Sequence, residues 1–311
     1  GLLNADLIGF LLFEYARNFL ACCKRMLGLE YEFEKGGSLG VEYEGRHVGL
    51  QICSFGISTS TLKAHLSRMG DGQFNELPDL AAARTRGSTI VAGVDYLDRL
   101  KGVANKLLAW EELLTNYSQY RTGYTLVQVC INAPDRIRIK NAGDVQTELE
   151  SIAERINSQY PGSVVFQVRS CMSAAARLQL WCATDICLNT ALREAINVWP
   201  LEFVMARHFK GLAPGVAVLS EFTGFARIVT GALRVNPFSQ MEVVEALDVA
   251  LSMSAPERAA RNLKTVEQLQ RCTLEEFAKR FVADLNAVSS KSAQDFVAVG
   301  FGLNAFRMVN M

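Results

Sequence analysis

The run Thr89-Ile-Val-Ala-Gly-Val94, with the segments 103–116 and 124–131 that follow it, decides the fold class of this chain. The run is apolar and has the length of a strand, and 124–131 is a second such run, rich in valine. The segment between them repeats its apolar residues at the spacing of an amphipathic helix. A strand, a helix and a second strand in this order predict a right-handed parallel crossover, the repeating unit of α/β sheets.

The same alternation continues toward the C-terminus and predicts a doubly wound parallel sheet with helices on both faces. The further predicted elements are 145–158, 164–168, 174–183, 186–189, 200–208, 215–219, 224–228, 232–235 and 241–253. Sheets of this type bind ligands at the carboxyl ends of their strands. The predicted functional loops are therefore those that follow Val94, Ile131, Val168, Asn189 and Leu219.

The N-terminal part of the chain has a different pattern. A strand at 7–10 and a helix at 13–27 precede a stretch of short β-forming runs, which predicts a small antiparallel or mixed sheet. We predict the remainder of an N-terminal lobe, a connection between lobes, a complete C-terminal lobe, and a crossover helix with the start of a linker. Their ranges are 1–58, 59–87, 88–270 and 271–311. Gly72 and Pro78 are interpreted as breakers in the connection.

Composition is that of a folded globular protein. Half of the 311 residues are apolar, and 32 Lys and Arg balance 32 Asp and Glu. The zero net charge argues against nucleic acid and against an anionic membrane as partners. No apolar stretch approaches the roughly 20 residues that span a bilayer. Eight scattered cysteines without a CxxC pair are typical of a reducing, cytoplasmic environment.

The sequence signals for metal-dependent or hydrolytic chemistry are weak. Its three histidines, His47, His65 and His208, lie far apart in sequence, so no metal site is predicted. Standard phosphate loops (GxxxxGK[ST], or GxGxxG after a strand) are absent from the sequence. Cys182 and Cys187 stand in apolar surroundings and are interpreted as core residues rather than nucleophiles.

The loop after Val94 has the composition of an anion site. It reads Asp95-Tyr-Leu-Asp-Arg-Leu-Lys-Gly102 and leads directly into a helix. Arg99 and Lys101 stand beside a glycine and a helix N-terminus, where free N–H groups, the helix dipole and the cations all attract phosphate. In the alternative interpretation, the two cations pair with Asp95 and Asp98 on a solvated loop, where such pairs contribute little.

The loop after Asn189 offers a second anion site. Pro200 suits the first turn of a helix, so the N–H groups of Asn197 and Val198 would point outward from a helix start. Glu202 would lie in the first turns of that helix, where its carboxylate would accept hydrogen bonds from sugar hydroxyls. The alternative for Glu202 is an ordinary acidic residue that stabilises a helix N-terminus.

Both loops carry motifs of a known family. Val94-Asp-Tyr-Leu-Asp-Arg-Leu-Lys-Gly102 is similar to V-D-R-L-D-Y-x-K-G, and Leu192-Arg-Glu-Ala-Ile-Asn197 with Glu202 is similar to L-R-D-G-M-N-L-x-x-x-E. These are motifs of the trehalose-6-phosphate synthase family, glycosyltransferase family 20, which the chain resembles along nearly its whole length. The further matching segments are 1–29, Leu219-Ser-Glu-Phe-Thr-Gly224 and Gly231-Ala-Leu-Arg-Val-Asn-Pro-Phe238.

Two further runs are similar to the long synthase-phosphatase type found in plants and related lineages. They are Cys22-Cys-Lys-Arg-Met-Leu-Gly-Leu29 and Gly300-Phe-Gly-Leu-Asn-Ala-Phe-Arg-Met-Val309. The resemblance implies an α/β fold of GT-B type, with a complete C-terminal Rossmann-like lobe, a partial N-terminal Rossmann-like lobe and the active site between them. Because the chain begins with glycine inside an apolar run, we expect an excerpt that lacks the acceptor half of the site.

The resemblance also implies an activity, the retaining transfer of glucose from UDP-glucose to glucose 6-phosphate in trehalose biosynthesis, without cofactor, metal or protein nucleophile. It places Lys101, Arg99 and Glu194 at catalytic positions, with Lys101 on the diphosphate and Glu194 where the family has an Asp on the glucose. The implied substrate-binding positions are Tyr96, Asn197, Val198, Glu202, Leu219 and Ser220. The expected ligand is UDP-glucose or UDP, with glucose 6-phosphate only in the presence of the missing N-terminal part.

Two departures from the family pattern leave two functions open. Tyr96 stands where the family has its diphosphate arginine, with Arg99 at the position of the family's tyrosine, and Glu194-Ala195 replaces Asp-Gly. Loss of one preorganised charged contact commonly lowers a rate ~100- to 1000-fold. The first hypothesis is a working transferase that tolerates these changes. The second is a degenerate module that senses nucleotide sugar or sugar phosphate, or that holds a trehalose-phosphate phosphatase module as its partner.

Overall fold

The computed structural model describes residues 1–33, 39–52, 56–69, 77–132, 142–227, 229–294, 296–299 and 306–309. In chain order its first helices and strands are β1 (Leu7–Phe10), α1 (Phe13–Leu27), β2 (Tyr31–Phe33), β3 (Leu39–Tyr43), β4 (Arg46–Ile52), α2 (Thr59–Arg68) and α3 (Pro78–Thr85). The next are β5 (Thr89–Tyr96), α4 (Val103–Asn116), β6 (Tyr124–Ile131), α5 (Ala142–Gln159), β7 (Val164–Arg169), α6 (Ala174–Ala183), β8 (Ile186–Asn189) and α7 (Trp199–Phe209). The last are β9 (Val216–Ser220), β10 (Leu233–Val235), α8 (Gln240–Ser252), α9 (Ala255–Arg271), α10 (Leu274–Gln294), β11 (Phe296–Val299) and β12 (Phe306–Val309).

The chain divides into two compact units. The first unit comprises Gly1–Gly56 and Cys272–Met311, and the second comprises Ile57–Arg271. The segment 59–87, predicted as a connection, carries α2 and α3, and both helices contribute to the core of the second unit. The four-part division of the chain stays a prediction.

The first unit contains a mixed sheet in the order β1-β4-β3-β2, as the short β-forming runs predict. In it β1 and β4 are parallel, whereas β3 runs antiparallel to both of its neighbours. Helix α1 packs its Leu20 against Leu39, Val41 and Leu50 of the sheet. Helix α10 contacts β1 and β4. The segment 300–305, part of the predicted join to a phosphatase-like module, lies outside the described residues.

The second unit is built on a parallel sheet in the order β10-β9-β8-β5-β6-β7. Reversed and renumbered from β5, this is the 3-2-1-4-5-6 order of the doubly wound Rossmann fold. Successive residues of β5 face opposite sides, since Ile90 and Ala92 lie in one core and Val91 lies in the other. Helices α4, α5 and α8 cover the Val91 side, and α6 and α7 contribute to the opposite core. The doubly wound sheet predicted from the sequence is confirmed.

Two helices of the second unit are not predicted by the sequence pattern. Pro78 is interpreted as a breaker, but in the structure it begins α3, where a proline loses no hydrogen bond because the first N–H groups of a helix have no partner. Helix α9 is rich in Arg and Glu and buries only Thr265, Val266 and Leu269. A helix with so narrow an apolar stripe gives a weak periodic signal. Of the helices in the described ranges, none combines the length and the apolar composition needed to cross a bilayer.

Candidate functional site

The candidate site lies at the carboxyl ends of β5 and β8. These strands are parallel neighbours, with Val91 opposite Ile186 and Ala92 opposite Cys187. The chain leaves β5 toward α4 and leaves β8 toward α7, and these helices cover opposite faces of the sheet. This divergence is the topological switch point, where a crevice opens at the end of the sheet.

The two loops at the switch point are fastened to each other. The Leu192 N–H donates to the Leu100 carbonyl over 2.8 Å, and the Thr190 hydroxyl donates to the Gly102 carbonyl over 2.9 Å. Gly102 has a φ of +62°, and a Cβ on it would lie 2.0 Å from the Thr190 carbonyl oxygen. Glycine is therefore required at position 102 for the loops to come this close.

The loops bring Lys101 and Glu194 together, although the two residues are 93 positions apart. The Lys101 Nζ donates to Glu194 Oε1. The second carboxylate oxygen, Oε2, accepts from Asn197 Nδ2 at 3.0 Å and from Asn189 Nδ2 at 3.2 Å. The side chains of Lys101 and Glu194 are 17% and 6% exposed. We name Lys101, Glu194, Asn189 and Asn197 the switch-point cluster. Its lysine and two asparagine amides together form an anion-binding site, which the Glu194 carboxylate occupies.

The start of α7 adjoins the switch-point cluster. Asn197 Oδ1 accepts from the Trp199 N–H over 3.0 Å, while Val198 is the N-cap residue of the helix. Among the described residues, neither the Asn197 N–H nor the Val198 N–H has a hydrogen-bond acceptor. Pro200 occupies the first turn, as predicted. Two unpaired N–H groups at a helix start are suited to bind phosphate oxygens.

Arg99 and Tyr96 have different surroundings. Arg99 forms an exposed ion pair of 2.8 Å with Glu148 of α5, so the structure does not bring it into the switch-point cluster. The Tyr96 ring lies 5.5 Å from the Trp199 ring, centroid to centroid, and 6.0 Å from the Lys101 Nζ. Tyr96 therefore borders the cluster with an aromatic face.

The alternative pairing of the loop cations with Asp95 and Asp98 is wrong. Asp98 caps the short 3₁₀ turn that follows it by accepting from the Leu100 N–H at 3.0 Å. Asp95 is buried and pairs with Lys106. Neither aspartate pairs with Arg99 or Lys101 among the described contacts, because Asp98 caps the backbone and Asp95 faces the core.

Glu202 is held by an arginine from the neighbouring helix. Arg177 of α6 donates to it through Nε over 2.6 Å and through Nη2 over 3.0 Å. Both side chains are mostly buried. A carboxylate offers about four acceptor positions, so Glu202 retains capacity for further donors after this bidentate contact.

Leu219 and Ser220, at the carboxyl end of β9, are buried beneath the loops. The Leu219 side chain belongs to the core. The Ser220 hydroxyl donates to the Ala191 carbonyl over 2.6 Å and accepts from the Phe222 N–H at 3.2 Å. Ser220 therefore supports the 190–194 loop from below, whereas the Leu219 side chain packs in the core.

Sequence reasoning missed Asn189 and Arg177 as members of the site. Asn189 ends a predicted strand at the ligand-binding edge of the sheet, and a polar residue in that position is a signal for it. Arg177 gives no comparable signal, because its contact with Glu202 depends on the packing of α6 against α7.

A buried charge network below the site was missed as well. Lys106 Nζ donates to Asp95 Oδ2 and to Gln128 Oε1, over 2.7 Å in each case, and Gln128 Nε2 donates to Asp95 Oδ2 over 3.1 Å. All three residues are at most 1% exposed. A signal was available in the sequence, since Lys106 lies three residues after Val103 and four before Trp110 on the apolar face of α4.

Cys187 is a core residue, as predicted, and Cys182 is partly buried against the same core. Burial raises the pKa of the Cys187 thiol to about 12 and that of the Cys130 thiol to about 12. A thiol with so high a pKa is almost entirely protonated at neutral pH, and the protonated form is a poor nucleophile. No group of three or more His, Cys, Asp or Glu suited to a metal ion occurs within the described ranges.

Comparison with known proteins identifies the family of the chain. The model of glycosyltransferase family 20 matches residues 1–287. The chain is 36% identical to "Alpha,alpha-trehalose-phosphate synthase [UDP-forming] 5" of Arabidopsis thaliana over 330 residues, which is 99% of this chain and 37% of that protein. The chain thus spans little more than a third of the length of this relative.

Solved structures show the same fold. The N-terminal domain of trehalose-6-phosphate phosphatase from Candida albicans matches with a TM-score of 0.78 and 27% identity, over 92% of this chain and 59% of that one. The E. coli protein solved with bound UDP-2-fluoro glucose matches with a TM-score of 0.77 and 25% identity, over 90% and 60%. The predicted α/β fold of GT-B type is confirmed by these matches. The motifs at Val94–Gly102 and at Leu192–Glu202, the doubly wound sheet and the family match agree, and the chain belongs to glycosyltransferase family 20.

Proposed function

We propose that the second unit is the donor-binding part of a trehalose-6-phosphate synthase type glycosyltransferase. In this proposal the complete cytoplasmic protein transfers glucose from UDP-glucose to glucose 6-phosphate with retention and without a metal ion. The observation that carries the proposal is the switch-point cluster. It holds a carboxylate between a lysine and two amide donors, beside the unpaired N–H groups of Asn197 and Val198. A diphosphate needs the same donors.

The chemistry of the leaving group explains the role of these donors. As the glycosidic bond of UDP-glucose breaks, negative charge accumulates on the diphosphate. Donors that are already oriented toward that charge lower the barrier, because the protein does not have to reorganise. In the proposal, Lys101 and the start of α7 provide this stabilisation, and Arg99 contributes after it leaves Glu148.

Glu202 would bind the ribose of the nucleotide. Its carboxylate is oriented by Arg177, and its remaining acceptor positions suit two neighbouring hydroxyl groups. Tyr96 and Ser220 have indirect roles, since Tyr96 borders the cluster with its ring and Ser220 supports the 190–194 loop. Leu219 contributes through the core of the second unit.

The test is a calorimetric titration of UDP into the chain, with Lys101→Ala as the variant. We expect binding to weaken ~10- to 100-fold, which is the usual size of a lost hydrogen bond to a charged group. Lys24→Ala is the matched control, because it removes a lysine from an exposed pair with Glu30 in the first unit. Circular dichroism establishes that each variant is folded. If the folded wild-type chain does not bind UDP and removal of the Glu194 charge does not restore binding, the donor-site proposal is wrong.

A second candidate function is a degenerate module that senses nucleotide sugar or holds a trehalose-phosphate phosphatase module. Two observations favour it. Tyr96 stands where the family motif has an arginine, and all four charged residues assigned to the donor are already paired within the chain. The structural match to the N-terminal domain of a protein described as a phosphatase supports the same candidate.

Tyr96→Arg in the complete protein separates the two candidates. If the substitution creates synthase activity, the rest of the site is intact and only the arginine is missing. If activity is absent in the variant and in the wild type, although both bind UDP, the protein is a sensor or a scaffold. Activity of the wild type would support the transferase.

A further inference from the structure

The Glu194 carboxylate is the only part of the switch-point cluster with negative charge, and it is engaged on both oxygens. Oε1 accepts a hydrogen bond from the Lys101 ammonium, and Oε2 accepts from the side-chain amides of Asn189 and Asn197. Its side chain is 6% exposed. The carboxylate therefore has defined partners and occupies the place where the cluster would receive an external anion.

A diphosphate that binds at the cluster must accept hydrogen bonds from the same Lys101 ammonium that donates to Glu194. An ammonium has three N–H donors, so Lys101 has donors left for a second oxygen. However, any oxygen that binds there comes close to the Glu194 carboxylate. Two negative charges a few ångströms apart repel strongly in a site largely shielded from water. A diphosphate on Lys101 is therefore opposed by Glu194 for as long as the ion pair persists.

We propose that Glu194 is an internal anion that competes with the diphosphate for Lys101 and so sets the affinity of the site for its ligand. The inference rests on the proposed donor site and adds a regulating residue to it. A ligand with a diphosphate binds weakly while Glu194 is paired with Lys101 and more tightly when that pair is broken. The affinity for a neutral nucleoside does not depend on the pair.

The first test is Glu194→Gln. A glutamine keeps one carbonyl oxygen to accept from Asn189 and Asn197, so the loops stay fastened, but it removes the negative charge that Lys101 neutralises. We expect UDP to bind ~10- to 100-fold more tightly than to the wild type, the size of one competing charged hydrogen bond. Uridine, which lacks phosphate, should bind both chains equally. This difference between UDP and uridine separates competition for Lys101 from a general structural effect.

Glu194→Asp is the second variant, in case the glutamine disturbs the loops. It keeps the charge but is one methylene shorter, so its carboxylate no longer spans both Lys101 and the two asparagines. We expect a smaller gain in UDP affinity. Glu257→Gln is the matched control, because it removes a carboxylate from the exposed pair with Arg261 in α9. We expect it to leave UDP binding unchanged within about twofold, since exposed pairs contribute little.

The outcomes distinguish this inference from the donor-site proposal. If the wild type binds UDP and Glu194→Gln binds it equally or more weakly, Glu194 positions Lys101 instead of competing with the ligand, and the inference is overturned while the donor site stands. If only the variant binds UDP, the inference is supported. If folded wild-type and variant chains both fail to bind UDP, the donor site itself is wrong and the inference is overturned with it.

Discussion

Lys101 and Lys106 lie five residues apart and each pairs with a carboxylate, yet their surroundings differ completely. Lys106 is 0% exposed and Asp95 is 1% exposed, with Gln128 completing the contacts between α4, β5 and β6. Lys101 and Glu194 lie at the carboxyl edge of the sheet, where the lysine side chain is 17% exposed. A buried ion pair is costly to break because each charge has lost its water. A pair at the edge can exchange a partner for a ligand.

The Lys106 pair therefore holds the core together, whereas the Lys101 pair lies at an edge that a ligand can reach. Asp95 leaves its Oδ1 without a hydrogen-bond partner, so that Lys106 and Gln128 are the described groups that compensate its charge. Glu194 retains two amide donors when Lys101 turns to a ligand. Lys101 can therefore turn to a ligand because its carboxylate partner keeps two hydrogen-bond donors, whereas Asp95 would keep only Gln128 if Lys106 moved away.

Removal of the buried lysine should have the largest effect. We expect Lys106→Met to lower the free energy of unfolding of the second unit by about 3–5 kcal/mol, because Asp95 keeps a buried charge without its cation. Urea unfolding followed by tryptophan fluorescence measures it, since Trp110, Trp181 and Trp199 all belong to this unit. Lys106→Met with Asp95→Asn should recover part of the loss. A loss below about 1 kcal/mol in the single variant would contradict the buried pairing.

Disruption of the contact between the two switch-point loops should have the next largest effect on stability. Gly102→Ala places a Cβ 2.0 Å from the Thr190 carbonyl oxygen at a φ of +62°. We expect a loss of about 1–3 kcal/mol from the steric overlap, in addition to the backbone strain, and weaker UDP binding. Gly211→Ala is the matched control, because it has a φ of +63° and nothing within 4 Å of the added Cβ. Equal losses in the two variants would show that the loops are not tightly fastened.

Removal of the edge lysine should affect stability less. We expect Lys101→Met to cost about 1–2 kcal/mol, less than Lys106→Met, because Asn189 and Asn197 still donate to Glu194. The same urea titration measures this loss. A loss as large as that of Lys106→Met would erase the distinction between the two pairs.

The smallest effect is expected for the exposed pair. Glu148→Gln should leave the urea midpoint of the second unit unchanged, because the ion pair between Arg99 and Glu148 lies at the surface, where water screens it. A clear shift of the midpoint would mean that this pair, too, is structural. Added sodium chloride should leave the urea midpoints of Glu148→Gln and the wild type equal, whereas it should weaken UDP binding to both proteins.

The parts of the site that follow from local sequence were predictable. The loops after Val94 and Asn189, the helix start at Pro200 and the carboxyl edge of the sheet all depend on periodicity, glycine and proline, which act within a few residues. The partners of the charged groups were not predictable. Lys101, Arg99 and Glu202 find Glu194, Glu148 and Arg177, respectively, at sequence separations between 25 and 93.

The sequence by itself determined the doubly wound sheet, the two loops at its switch point and the family, because apolar spacing and motif residues are properties of neighbouring positions. Only the tertiary structure decided that Asp95 turns into the core toward Lys106 while Lys101 turns toward Glu194. The physical reason is burial. The strength of an ion pair depends on how much water it has lost, and that depends on how distant helices and strands pack around it.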